Sequence, residues 1–177
     1  AEPGALPGPE RELCKTMAAG PARLFAMGRL AARSTLETLG AAPRPLLRGG
    51  HGEPLWPEGY LGSISHTRGL GLAAAGQTTV AKAIGIDVEL SERRPNPDIL
   101  KRIATSAEQN WIDRSGIDPS LGALQLLSAK EAVYKAFYPL TGVALNFMDV
   151  SLERKGDSYI AALTRNIGTT HSAGTSL

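Results

Sequence analysis

The sequence predicts an α+β protein. Three observations predict it: two long helical patterns, near residues 21–39 and 123–138; short strand-like runs after each; and no regular strand–helix–strand rhythm of the kind that builds a parallel sheet. The order helix-then-strands occurs twice with a seam near Ala81, so the expected lobes are residues 1–80 and 81–177.

In chain order, the opening AEPGALPGPE is rich in Pro and Gly and reads as a loop. Helical spacing of apolar residues runs from Pro21 to Leu39, with Gly40 placed as a C-cap. Pro43 and Pro45 exclude helix and open a turn-rich segment from Arg48 to Gly59, anchored by Trp56. Tyr60–Thr67 reads as a strand running into a turn, and Leu70–Ala75 as a second strand. AIGIDVEL, Ala83–Leu90, alternates and reads as a third. Short helices are expected over Ile99–Ala104 and Ala107–Asp113, and a long one over Ala123–Tyr138, stopped by Pro139. Val143–Leu152 and Ser158–Leu163 read as a strand pair around Lys155-Gly156-Asp157. The Gly/Ser/Thr-rich stretch Gly168–Leu177 reads as disordered.

Composition narrows the function classes. The chain has 177 residues, 42% of them hydrophobic, enough for one compact domain or two small fused lobes. A net charge of +2 gives no ground for a nucleic-acid or anionic-membrane partner, so any bound anion must meet a local basic cluster. A single cysteine, Cys14, builds no disulfide framework, and His51, His66 and His171 are too scattered in sequence for a zinc site. No apolar run approaches the ~20 residues of a membrane span. The first residues lack a basic stretch followed by an apolar one, so the expectation is a cytoplasmic protein without a signal peptide.

Several residues carry possible chemistry. On a strand over 84–90, Ile84, Ile86, Val88 and Leu90 share one face, and Gly85, Asp87 and Glu89 the other. The two carboxylates then stand about 7 Å apart at their α-carbons, with room beside Gly85 for a ligand. Oxygen donors of this kind suit a hard cation such as magnesium, although a solvated strand face gives the same pattern. Glu131 and Lys135 lie four apart on the long helix, either as a surface ion pair or as a third carboxylate with a phosphate-facing ammonium. His66 ends a strand among hydroxyls, as a phosphate contact or a structural histidine. Arg29 and Arg33 put like charges on one helix face, and Arg48 opens a Gly-rich turn able to cradle a phosphate; all three can equally be surface arginines.

Taken together, GEPLWPEGYLGSISHT (52–67), IGIDVE (84–89) and SAKEAVYKAFYPLTG (128–142) resemble the three signature blocks of Sfp-type 4′-phosphopantetheinyl transferases. FAMGRLAAR (25–33) is similar to the N-terminal helix of the actinobacterial and enterobactin-synthase component D-like subgroup. The resemblance implies a pseudo-dimer of two similar α+β lobes, each a small, mainly antiparallel sheet on a long helix, with coenzyme A between them. It implies that Asp87, Glu89 and Glu131 hold Mg2+, or Mn2+, against the pyrophosphate. Arg29, Arg48 and His66 would face the nucleotide phosphates. Gly49, Gly50, His51 and Ser65 would line the same pocket, and Lys130 and Lys135 would neutralise the pyrophosphate.

The implied reaction moves 4′-phosphopantetheine from coenzyme A to a serine of an acyl or peptidyl carrier protein, with Glu131 as the base, directly or through a metal-bound water, and Lys135 beside it. The alternatives are a metal-dependent phosphohydrolase, or an inactive module that binds coenzyme A or a carrier. The expected enzyme is a monomer. Two features depart from the subgroup: Pro21-Ala22 stand where Arg-Arg is common, and the family continues into another strand where this chain reads GTTHSAGTSL.

Overall fold

A computed structural model describes residues 2–167 and 172–175. The chain divides into two compact units, Ala1–Val88 and Glu89–Leu177. The architecture is α+β: each unit carries helices and one two-stranded antiparallel sheet.

The first unit begins with helix where a loop was expected. A 3-10 turn, Pro3–Ala5, leads into α1, Gly8–Lys15. Pro9 is tolerated in the first turn of α1, where amide hydrogens have no intrahelical acceptor in any case. Leu6 and Cys14 then pack with Ala22, Phe25 and Ala26 of α2, Ala19–Thr38. Burial raises the pKa of the Cys14 thiol, which makes it a core residue rather than a nucleophile. Gly40 follows α2 at φ +77°, the left-handed conformation that ends a helix.

β1, Tyr60–Thr67, and β2, Leu70–Gln77, form a hairpin in which Tyr60 faces Gln77 and Thr67 faces Leu70. Both strands pack on α2. Close approach needs Gly28, since a Cβ there would lie 2.6 Å from Ile64 Cγ2.

Residues 83–90 form no strand. The segment lies along β1 but is tied to it by serine hydroxyls: Ile86 N–H donates to Ser63 Oγ at 3.1 Å and Val88 N–H to Ser65 Oγ at 3.2 Å. Serine side chains thus take the place of the ladder that the alternation predicts.

In the second unit a 3-10 turn, Pro97–Ile99, precedes α3, Leu100–Ile103, and α4, Ser106–Ser115. α4 starts with a capping box between Thr105 and Glu108 and stops at Gly116, φ +71°. α5, Pro119–Thr141, starts at the Asp118 cap and runs through Pro139, which does not stop it as expected. Pro139 sits in the last turn. The Thr141 hydroxyl reaches Phe137 O at 3.0 Å and Gly142 N–H reaches Tyr138 O at 2.8 Å, satisfying carbonyls at the helix end.

The expected strand over 143–152 is shorter. Asn146 and Asp149 cap each other around a 3-10 turn, Phe147–Asp149, so β3 covers only Val150–Lys155. It pairs with β4, Ser158–Leu163, through the two-residue loop Gly156-Asp157. Of the tail expected to be disordered, residues 168–171, including His171, and 176–177 lie outside the described residues. Gly174 N–H donates to Leu163 O at 2.7 Å and Leu163 N–H to Thr175 O at 3.1 Å. Ile103, Ile112, Leu126, Leu163 and Ile167 form the core of this unit.

Each unit is pinned by an interior glutamate. Glu10 on α1 is fully buried, accepting from Arg33 Nη2 on α2 at 2.7 Å and from Leu46 N–H at 2.7 Å. Glu108 on α4 accepts from Lys130 Nζ on α5 at 2.9 Å, Leu152 N–H at 2.7 Å and Thr105 N–H at 2.6 Å. In both, a carboxylate joins a short helix to a base on the long helix and to a backbone amide farther along.

Candidate functional site

In the first unit, α2, the 46–54 loop and β1 surround a cavity of about 440 Å³. Arg29, Arg48 and His66 all line it, with Phe25, Gly52 and Pro54. Helix, turn and strand thus bring three cations or N–H donors, far apart in sequence, to one cavity.

Arg29 is only 5% exposed. Its Nε donates to Leu46 O at 2.7 Å, and the guanidinium lies 4.4 Å from the Phe25 ring centre. Burial lowers its pKa to about 10, with Glu10 opposing the drop and Arg48 adding to it. It remains a cation at neutral pH. Arg29 therefore does two things: it fixes the loop that carries Arg48, and it puts buried positive charge beside the cavity.

The Arg48–Pro54 turn is closed by an isolated antiparallel bridge between those two residues. Gly52 has φ +89°, and a Cβ there would lie 2.6 Å from Arg48 Nη2. The glycine leaves the space that the guanidinium fills. On the other side of the turn the Glu53 carboxylate folds over Gly49 and accepts from His51 N–H at 2.9 Å. The turn lines the cavity through Arg48, Gly52 and Pro54, whereas Gly49, Gly50 and His51 do not line it.

Ser65 needs a correction. It does not share the cavity with His66, because successive residues of β1 point to opposite faces. Its hydroxyl instead donates to Asp87 Oδ1 at 2.8 Å. Ser63, on the same face, was missed; the S-x-S spacing in a strand was the signal available.

In the second unit, Glu131 lines a smaller cavity of about 160 Å³ with Tyr134, Leu145, Asn146 and Phe147. Lys135 lies one turn farther along α5 and is half-buried. Lys130 is a further correction: its ammonium is in the interior, donating to Ile103 O at 2.7 Å, Glu108 Oε2 at 2.9 Å and Phe147 O at 2.9 Å. All three of its donors are used, so it holds the fold rather than a phosphate. Burial lowers its pKa against the opposing pull of Glu108. The T-S-A-E spelling at Thr105–Glu108 marked the capping box, although nothing in it marked the partner.

The expected metal ligands divide between the units: Asp87 belongs to the first, Glu89 and Glu131 to the second. Among the described residues, neither unit contains a group of three or more His, Cys, Asp or Glu placed to hold a metal ion. No described helix is long and apolar enough to cross a membrane.

Comparison with known proteins places this geometry. Residues 10–76 match the 4′-phosphopantetheinyl transferase N-terminal domain, and residues 83–175 the 4′-phosphopantetheinyl transferase superfamily. The chain is 40% identical over 156 residues to the 4′-phosphopantetheinyl transferase Svp of Streptomyces mobaraensis, covering 85% of this chain and 62% of that protein. With PptT of Mycobacterium tuberculosis it shares 36% identity over 157 residues, 88% of this chain and 69% of that one. Enterobactin synthase component D of Salmonella typhi is 33% identical over 111 residues, 62% of this chain and 45% of that one. On these matches the chain spans less than two thirds of Svp but more than two thirds of PptT, and it belongs to the 4′-phosphopantetheinyl transferase superfamily.

Proposed function

We propose that this protein transfers 4′-phosphopantetheine from coenzyme A to a serine of an apo acyl or peptidyl carrier protein, releasing 3′,5′-ADP. Family membership supports the reaction type. The observation that carries the reading is the cavity that collects Arg29, Arg48 and His66, whose N–H donors suit the phosphates of a nucleotide.

We propose two lobes, residues 1–80 and 81–177, a boundary eight residues before the division of the compact units after Val88. The two family matches end and begin at 76 and 83, and each unit has its own Glu–base–amide node. The proposed setting is the cytoplasm, with the protein as a monomer.

Asp87, Glu89 and Glu131 are the proposed ligands for magnesium, or manganese. Their donor chemistry fits a hard cation, and the Asp87 carboxylate is already oriented by Ser65, as ligating carboxylates are. When bound, the ion supplies charge neutralisation at the pyrophosphate.

The carrier serine oxygen forms a bond to the phosphorus that bears the pantetheine. The bridging P–O bond breaks, and its electrons leave with 3′,5′-ADP. Glu131 takes the serine proton and Lys135 balances charge on the leaving oxygen. The cavity beside Glu131, lined by Tyr134, Leu145 and Phe147, suits the uncharged pantetheine arm.

The test is to incubate the protein with coenzyme A, Mg2+ and several apo carriers, then weigh each carrier. The expected result is a gain of one phosphopantetheine. Glu131→Ala should slow the reaction by roughly 10²–10⁴-fold, and Asp87→Ala should abolish it. Unchanged carriers throughout would overturn the reading, and coenzyme A binding without mass gain would identify a binding module.

A further inference from the structure

β1 has a buried face made of hydroxyls. Ser63, Ser65 and Thr67 point the same way and are 3%, 4% and 7% exposed. Buried hydroxyls require partners, and the opposite face of the strand, carrying Ile64 and His66, supplies none to them. The partners of Ser63 and Ser65 lie in residues 84–88, which join no sheet. Ser63 Oγ accepts from Ile86 N–H at 3.1 Å, and Ser65 Oγ accepts from Val88 N–H at 3.2 Å. Two hydroxyls spaced two residues apart thus catch two amides spaced two residues apart, which sets the segment in one register alongside β1.

Ser65 does more than Ser63. A hydroxyl has one proton and two lone pairs. The Val88 amide occupies a lone pair, and the proton is directed to Asp87 Oδ1 at 2.8 Å. One oxygen of the carboxylate is thereby tied to a side chain that is itself held by the backbone one residue farther on. Rotation of the carboxylate about its terminal torsion would break that bond. Asp87 is fixed in direction as well as in position.

We infer that Ser65 is a positioning residue that aims the Asp87 carboxylate at a divalent cation, while Ser63 sets only the register of the segment. The inference rests on the metal assignment under the proposed function. It departs from the expectation that Ser65 lines the nucleotide pocket. Outer partners of ligating carboxylates matter to metal affinity by roughly 10–100-fold, and that range sets the size of the expected effect.

The test measures binding rather than turnover. Mn2+ is titrated into the full chain with and without coenzyme A, and free ion is followed by electron paramagnetic resonance. Wild type, Ser65→Ala, Ser65→Cys, Ser65→Thr and Ser63→Ala are compared, each with a thermal melt. Ser65→Ala should weaken Mn2+ binding by roughly 10–100-fold. Ser65→Cys, which keeps the volume and so guards the fold, should weaken it in the same direction. Ser65→Thr, which keeps the hydroxyl, should recover most of the affinity, and Ser63→Ala should bind nearly as wild type.

Equal losses in Ser63→Ala and Ser65→Ala would mean that both act through register alone, and would overturn the inference. Wild-type affinity in Ser65→Ala would also overturn it while leaving the metal assignment intact. A wild-type protein that binds no Mn2+ even with coenzyme A would remove the metal assignment and the inference together. Carrier mass gain in the same preparations tests the transferase reading separately.

Discussion

At the scale of single residues, charge type was legible and burial was not. Arg29, Arg48 and His66 were chosen because their chemistry suits phosphate, and the fold brings all three to one cavity. Lys130, which only the family resemblance assigns to the pyrophosphate, is spent inside, because the letters Lys130-Glu131 do not say which of two neighbours on a helix faces the core. Asp149 drew no attention in the sequence, yet it ties the start of β3 to Arg165 at 2.5 Å and caps Asn146 N–H at 2.9 Å. The Arg165 hydrogen bond is the main cause holding its pKa below the ordinary carboxylate value, with the Asn146 bonds assisting and burial opposing. A carboxyl with a depressed folded pKa adds stability above its unfolded pKa, about 3.9, and loses it as pH falls through the folded value. Asp149→Asn keeps an oxygen acceptor for the Asn146 amide but removes the charge that Arg165 meets, so it should lower the melting temperature at pH 7. The gap from wild type should narrow as pH drops below about 4, which thermal melts across that range will read.

At the scale of elements, the long helices were legible because burial of one face imposes a 3.6-residue period over many turns. Short elements were not, because a cap or a hydroxyl can outweigh the pattern. α1 appeared in a Pro/Gly-rich stretch because Pro is tolerated in a first turn. The 84–90 segment alternates in its letters like a strand, yet its Ile86 and Val88 amides go to Ser63 and Ser65 rather than into a ladder. The Arg48–Pro54 turn was readable as Gly-rich, although its division of labour among the glycines was not. Gly52 combines φ +89° with the space that Arg48 fills, so alanine there meets both strain and a clash. The strain alone costs about 1–2 kcal/mol. If the turn relieves it by moving Arg48 from the cavity, Gly52→Ala should raise KM for coenzyme A about tenfold, since about 1.4 kcal/mol is one decade. Gly50→Ala, with no atom near its Cβ, should leave KM unchanged. A carrier-modification assay at varied coenzyme A separates the two.

At the scale of the whole chain, the repeated order of helix and strands was visible in the letters, but the buried carboxylate inside each half was not. In each unit a carboxylate from a short helix meets a base from the long helix and an amide beyond it: Glu10 with Arg33 and Leu46, Glu108 with Lys130 and Leu152. These nodes are closed inside their units, so each should govern the opening of its own unit. Removing one charge of a buried pair leaves its partner uncompensated, at a cost of about 3–5 kcal/mol. Proteins open in cooperative blocks, and amide exchange reports the free energy of each block. Lys130→Met strands the buried Glu108 carboxylate, so it should speed exchange across α4, α5 and β3 while the β1–β2 hairpin keeps its protection. Arg33→Met strands Glu10 and should do the reverse, loosening α1, α2 and the 46–54 loop. Hydrogen exchange read by mass spectrometry at peptide resolution will separate the two patterns. Uniform loss of protection over 2–167 in both variants would instead make the chain a single cooperative block, with neither node acting as the lock of its own half.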